Sequence, residues 1–180
     1  PADPGSPCAG FSIYPSYFGA SLAVSGPDLV VGSPYLFTNS GVTEFASVFA
    51  YTFDSTMTQQ WQPAQVLCTG DVTDAFGWSV SVSGDLLVAG APNTWGTLSF
   101  PSVGGIHTYR KNLSGDWDLV ETLNGIFPGD DYFGESVSVA SGDGIGDHVL
   151  AVGTRDRPSS GGGGAQPPAA ASQVWFYRHP

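Results

Sequence analysis

Phe76-Gly77-Trp78-Ser79-Val80-Ser81-Val82-Ser83-Gly84-Asp85-Leu86-Leu87-Val88-Ala89-Gly90-Ala91-Pro92 decides how this chain folds, because the chain writes it three times. An earlier copy runs from Phe18 to Pro34 and a later, stretched one from Phe133 to Gly153, so the phrase returns after 58 and then 57 residues. Within the phrase, Val80 and Val82 alternate with Ser79, Ser81 and Ser83. That is the period of a strand with one buried face and one small or polar face. Ser83-Gly84 supplies a tight turn, and Leu86-Leu87-Val88-Ala89 is the continuous apolar run of a strand buried on both faces. Gly90 and Pro92 end it, since proline cannot donate to a ladder. Each copy is therefore a β-hairpin, and a period of this size points to stacked units of a few strands each.

Working outward, each hairpin is followed by the same pair of strands. In the first unit they are expected near 47–53 and 61–67, in the second at 105–111 and 117–123, with a turn at 112–116. The matches are positional: Val48 and Tyr51 correspond to Ile106 and Tyr109, then to Val174 and Tyr177, while Trp61 and Leu67 repeat as Trp117 and Leu123. Four antiparallel strands per unit make a blade. The boundaries are an extended lead-in over 1–16 with Pro1, Pro4, Pro7 and Pro15, blade 1 over 17–73, blade 2 over 74–130 and blade 3 over 131–180. Blade 3 breaks off after Tyr177-Arg178 and lacks a fourth strand; its Gly/Pro/Ala/Ser tract, 158–172, cannot bury apolar surface and reads as a flexible loop.

Composition narrows the function classes. Charged residues make up 12% of the 180, and Lys+Arg 5 against Asp+Glu 16 gives a net charge of −11. Nucleic acid and anionic membrane surfaces need clustered cations that this chain lacks, and no apolar run approaches the ~18 residues of a membrane span. A start at Pro1 rather than at methionine points to a processed product or an excerpt. Catalysis finds little footing, so no enzyme is expected. Gly77-Trp78-Ser79-Val80-Ser81 opens like a hydrolase nucleophile elbow but lacks the second glycine. His107, His148 and His179 show no zinc-ligand spacing, and His107, next to Ile106 in a strand, is expected on the solvated face.

Phe-Gly-x-Ser, the hairpin, Gly-Ala-Pro, then Val/Ile-x-x-Tyr and Trp-x5-Leu together resemble the FG-GAP repeat, whose family includes the blades of the integrin α-subunit head. Phe18-Gly19, Phe76-Gly77 and Phe133-Gly134 carry the first half of the name. Gly32-Ser33-Pro34, Gly90-Ala91-Pro92 and a degraded Gly153-Thr154-Arg155 carry the second. The resemblance covers about 17–178 and implies an all-β fold of propeller-type blades in an extracellular, cell-surface or adhesive setting. Propellers close with roughly four to eight blades. Two blades and a truncated third therefore imply exposed edges covered by copies of the same chain or by further repeats.

The resemblance also implies a place to look for calcium, an acidic loop inside the hairpin. The first two loops, Ser25-Gly26-Pro27 and Ser83-Gly84, are too short to wrap an ion; in the third, Asp143 and Asp147 flank Gly144, but Ile145 stands where a ligand is wanted. A plain glycine-rich turn is the better reading, and no cofactor is expected. Asp71, Asp74, Asp130 and Asp131 before the later Phe-Gly pairs read as turn-capping loop residues, with a cation or sugar site as the sharper alternative. A lectin-like, carbohydrate- or calcium-dependent module is accordingly the second functional expectation. Cys8 and Cys68, in similar loops of consecutive units, are expected to form one intrachain disulfide, with intermolecular bonds or free thiols as the alternatives. Asn112-Leu113-Ser114 is the one N-glycosylation sequon, placed in a turn where an acceptor is exposed.

Overall fold

A computed structural model describes residues 17–34, 46–69, 75–92, 104–125, 132–141 and 148–154, and the backbone of 174–179. Every regular element among them is a strand. β1 (Ser21–Ser25), β2 (Asp28–Ser33), β3 (Ser47–Asp54) and β4 (Gln60–Leu67) form one antiparallel sheet in chain order. β5 (Ser79–Ser83), β6 (Leu86–Ala91), β7 (Gly105–Lys111) and β8 (Trp117–Asn124) form a second of the same order. β9 (Ser136–Ser141), β10 (His148–Gly153) and β11 (Val174–His179) form a third, with β10 in the middle. No helix among the described residues is long and apolar enough to cross a membrane.

The repeat is visible in the register. Ser21 pairs with Gly32, Ser79 with Gly90 and Ser136 with Gly153, so position for position the three hairpins are one object. The register between third and fourth strands slips at the same place twice, after Ala50 in blade 1 and after Thr108 in blade 2. Such bulges twist an outer strand, and Pro63 is tolerated in β4 because that strand is the sheet's edge.

Burial follows the alternation in the sequence. β6 is buried along its whole length, as its unbroken apolar run requires, while β5 buries Val80 and Val82 and leaves its serines half-buried. The core is not inside any one sheet but between sheets. One cluster joins Val30, Val48 and Leu67 of blade 1 to Phe76, Val80, Val82, Leu87 and Tyr109 of blade 2. A second joins Leu86, Val88 and Ile106 of blade 2 to Phe133, Val139, Leu150 and Val152 of blade 3. A single sheet has too little to bury, and stacking supplies the missing cover.

Candidate functional site

The two seams between blades hold the concentrated chemistry of the described residues, and the Phe-Gly turn builds them. In each unit the residue after Phe-Gly returns its amide to the residue before it: Ala20 to Tyr17 (3.0 Å), Trp78 to Ala75 (3.1 Å) and Glu135 to Tyr132 (2.9 Å). The third position of this turn takes positive φ, +91° at Gly19, +84° at Gly77 and +91° at Gly134, which is why glycine follows the phenylalanine. The turn drops the ring between sheets, so Phe76 and Phe133 are 0% and 1% exposed. Phe18 uses the same turn but has no described blade before it, and is 47% exposed.

The two halves of the motif then meet. Within a blade, the amide of Gly77 donates to the carbonyl of Gly90 at 2.9 Å, as Gly19 does to Gly32 (3.1 Å) and Gly134 to Gly153 (3.2 Å). Across a seam, Ser21 Oγ donates to the carbonyl of Gly77 (2.9 Å), and Ser79 Oγ donates to that of Gly134 (2.8 Å). A β-carbon added at Gly32 or Gly90 would collide with those same carbonyls and serine hydroxyls. Glycine is required there because the backbone of the next blade lies against it. Ser79, the serine of the elbow-like stretch, is thus a seam residue. The hydroxyl of Ser81 accepts from the amide of Val139 and that of Ser83 from the amide of Ser141, both at 3.0 Å. The serine face expected from sequence is the face turned to the next blade; the valine face is turned to the preceding one.

Charged groups pin the rims of the seams. Lys111 Nζ of blade 2 lies 2.6 Å from Asp28 Oδ1 of blade 1, the two side chains 21% and 7% exposed, and 5.6 Å above the Trp117 ring. The side-chain amide of Gln65 bonds the backbone of Trp117 twice, accepting from its N–H at 2.7 Å and donating to its carbonyl at 3.2 Å. At the other seam Asp85 meets Arg110 of its own blade (3.2 Å) and His148 Nε2 of blade 3 (3.0 Å). A half-buried cation such as Lys111 keeps its charge at least cost beside a partner.

Among the histidines, His107 corrects the expectation of a solvated face. Its ring lies edge-on to Phe76 with centroids 5.2 Å apart, the place Phe49 takes beside Phe18 at 5.3 Å. Burial lowers its pKa to about 4, and Nδ1 shares a hydrogen bond with the Thr122 hydroxyl at 3.1 Å. His148 is buried at the second seam, and of His179 only the backbone pairing with His148 is described.

Asn112 is exposed in the turn between β7 and β8. Its Oδ1 accepts from the amides of Ser114 (2.9 Å) and Asp116 (3.0 Å), and its Nδ2 donates to Asp118 at 3.0 Å. Asp54 closes the corresponding turn of blade 1. Amide donors at Met57, Thr56 and Thr58, with the Thr56 hydroxyl, hold its carboxyl far below the ordinary range. Cys68 is buried just past β4 and is not free. Cys8, Asp71, Asp74, Asp130, Asp131, Asp143 and Asp147 lie outside the described residues, as does the tract 158–172. No group of three or more His, Cys, Asp or Glu among the described residues could hold a metal ion.

Sequence reasoning did not find the cross-seam pairs Lys111–Asp28 and Gln65–Trp117, which join residues 83 and 52 apart. The recurrence of Ser21, Ser79 and Ser136 at one phase of the repeat was the available signal for the seam.

Comparison with curated proteins gave no match. Residues 69–98 match the family model described as FG-GAP repeat, a span that holds the Phe-Gly turn, the hairpin and the Gly-Ala-Pro of blade 2. The same turn and the same serine–glycine contact lie on either side of that span, so what the chain shows is one FG-GAP repeat at 69–98 flanked by two hairpins of like geometry.

Proposed function

We propose that this chain is a non-enzymatic extracellular structural or adhesive module of β-propeller type, completed by further blades from copies of itself or from an array or filament of the same repeats. The observation that carries this reading is the bare face of blade 1. Leu22 and Val24 are 63% and 60% exposed, although their counterparts Val80 and Val82 are 8% and 7% exposed against blade 1. A face built to be covered, on a chain of low charge density, is the surface of a building block. FG-GAP repeats are typical of extracellular and cell-surface proteins. That setting accords with a disulfide between Cys8 and Cys68 and with glycan on the exposed Asn112.

The test is the protein's address and covalent state. Antibody should label intact, non-permeabilised cells or their matrix, and the secreted chain should lose mass on deglycosylation unless it carries Ser114→Ala. A non-reducing peptide map should join Cys8 to Cys68. Label confined to the cell interior, with unmodified Asn112 and two free thiols, would overturn the reading.

A further inference from the structure

The described structure ends in the two separated halves of a contact that it makes twice internally. Each blade turns its apolar β-hairpin face backward and its serine face forward. Backward, Val80, Val82 and Phe76 close on blade 1, and Val139 and Phe133 close on blade 2. Forward, Ser21 reaches Gly77 and Ser79 reaches Gly134. What is left over is the backward face of blade 1 and the forward face of blade 3. The first shows Phe18, Leu22 and Val24, each at least 47% exposed. The second shows Ser136, Ser138 and Ala140, all exposed, where Ser79 and Ser81 of blade 2 are half-buried.

We propose that these two faces bind each other between copies of this chain, head to tail, with blade 1 of a second copy seated on blade 3 of the first. The internal seams fix the register. Ser21 donates to the carbonyl of Gly77 and Ser79 to that of Gly134, so Ser136 donates to the carbonyl of Gly19 in the second copy. Gly153, the counterpart of Gly32 and Gly90 in the ladder, gives that carbonyl the room the internal seams give theirs. Phe18 then enters the position that Phe76 and Phe133 occupy inside the chain. The contact is heterologous, since the two surfaces differ, and such contacts either close into a ring or run on as a fibre. Three blades and three blades make six, within the range at which propellers close. This inference rests on the proposed role as a module completed by further blades, and it names the copy as the partner because the chain carries both halves of the joint.

The experiment is sedimentation velocity on the full chain over a wide concentration range, with one variant for each face. Val24→Asp spoils the head and Ser138→Glu the tail. Both positions are exposed in the single chain, so the variants keep the wild-type circular dichroism and urea midpoint. Wild type should sediment above monomer mass. Each variant alone should lose association by at least about 100-fold, because it sets an unpartnered carboxylate into a seam built for valine or serine. Mixed, the two variants should recover a 1:1 complex, since one supplies an intact tail and the other an intact head. A wild type that stays monomeric at every concentration, variants that associate like wild type, or a mixture that stays monomeric would each overturn the proposal. A monomer displayed at the cell surface would remove this joint while leaving the extracellular module standing. Head-to-tail assembly of a protein confined to the cell interior would do the reverse.

Discussion

Gly90→Ala is the sharpest probe of the seam, because the substitution adds one carbon and the structure states what that carbon meets. Gly90 is buried, and its added methyl would run into the carbonyl oxygen of Gly134 and the hydroxyl of Ser79. Backbone of the next blade cannot swing aside as a long side chain would, so blade 3 must move. Overpacking of this kind costs about 1–3 kcal/mol. The hydrogen bond from Ser79 to Gly134, 2.8 Å long, goes with it, at about 1 kcal/mol. Alanine returns up to ~1 kcal/mol by stiffening the unfolded chain, which leaves a net loss of about 1–3 kcal/mol. Gly26→Ala is the control: Gly26 has φ +56° but nothing within 4 Å of the added carbon. Its cost is the left-handed penalty of about 1–2 kcal/mol less the same return. Urea unfolding followed by tryptophan fluorescence, with an m-value of about 2 kcal/mol per M, should show a midpoint about 0.5–1.5 M lower for Gly90→Ala. Hydrogen exchange should place the loosening in β9 and β10. In a Ser79→Ala background the cost should fall without vanishing, because the carbonyl remains in the way. A Gly90→Ala protein no less stable than Gly26→Ala, with β9 and β10 still protected, would refute the account of why the second half of the motif is glycine.

Phe76→Ala, which empties a site 0% exposed between two blades, should cost about 3–5 kcal/mol. Phe18→Ala, at a site 47% exposed in the single chain, should cost less than half of that in dilute solution, and equal losses by the same urea assay would contradict the seam as described. His107, half-buried and with its pKa lowered to about 4 from 6.5, stays neutral in the folded chain while its unfolded counterpart takes up a proton. The stability tied to it is present above about pH 6.5 and is lost as pH falls towards about 4. His107→Phe, which copies Phe49 at the same place in blade 1, should unfold with a weaker dependence on pH across that window, and parallel curves for the two proteins would rule out His107 as the source.

Much of the fold was legible in the chain because its determinants are local and repeated. The alternation of Val80 and Val82 with serines, the apolar run of β6 and the turn at Gly84 each specify a strand or its end without help from elsewhere, and recurrence in register multiplies the signal. The second strand pair of blade 2 lies where Ile106, Tyr109, Trp117 and Leu123 place it, at Gly105–Lys111 and Trp117–Asn124. His107 was misjudged for an instructive reason. Period two assigns it to the face opposite Ile106, but not what covers that face, and the cover is Phe76, 31 residues upstream.

The sequence by itself settled that three like hairpins exist and which residues share a face in each. Pattern can do this because a strand's side chains alternate whatever surrounds them. Only the tertiary structure decided that the serine face is a joint rather than a wet surface, that Gly90 stands against the backbone of the following blade, and that Lys111 answers Asp28. Those facts depend on how one sheet is set against the next, and that placement comes from packing between residues 44 to 83 positions apart, where no local rule reaches.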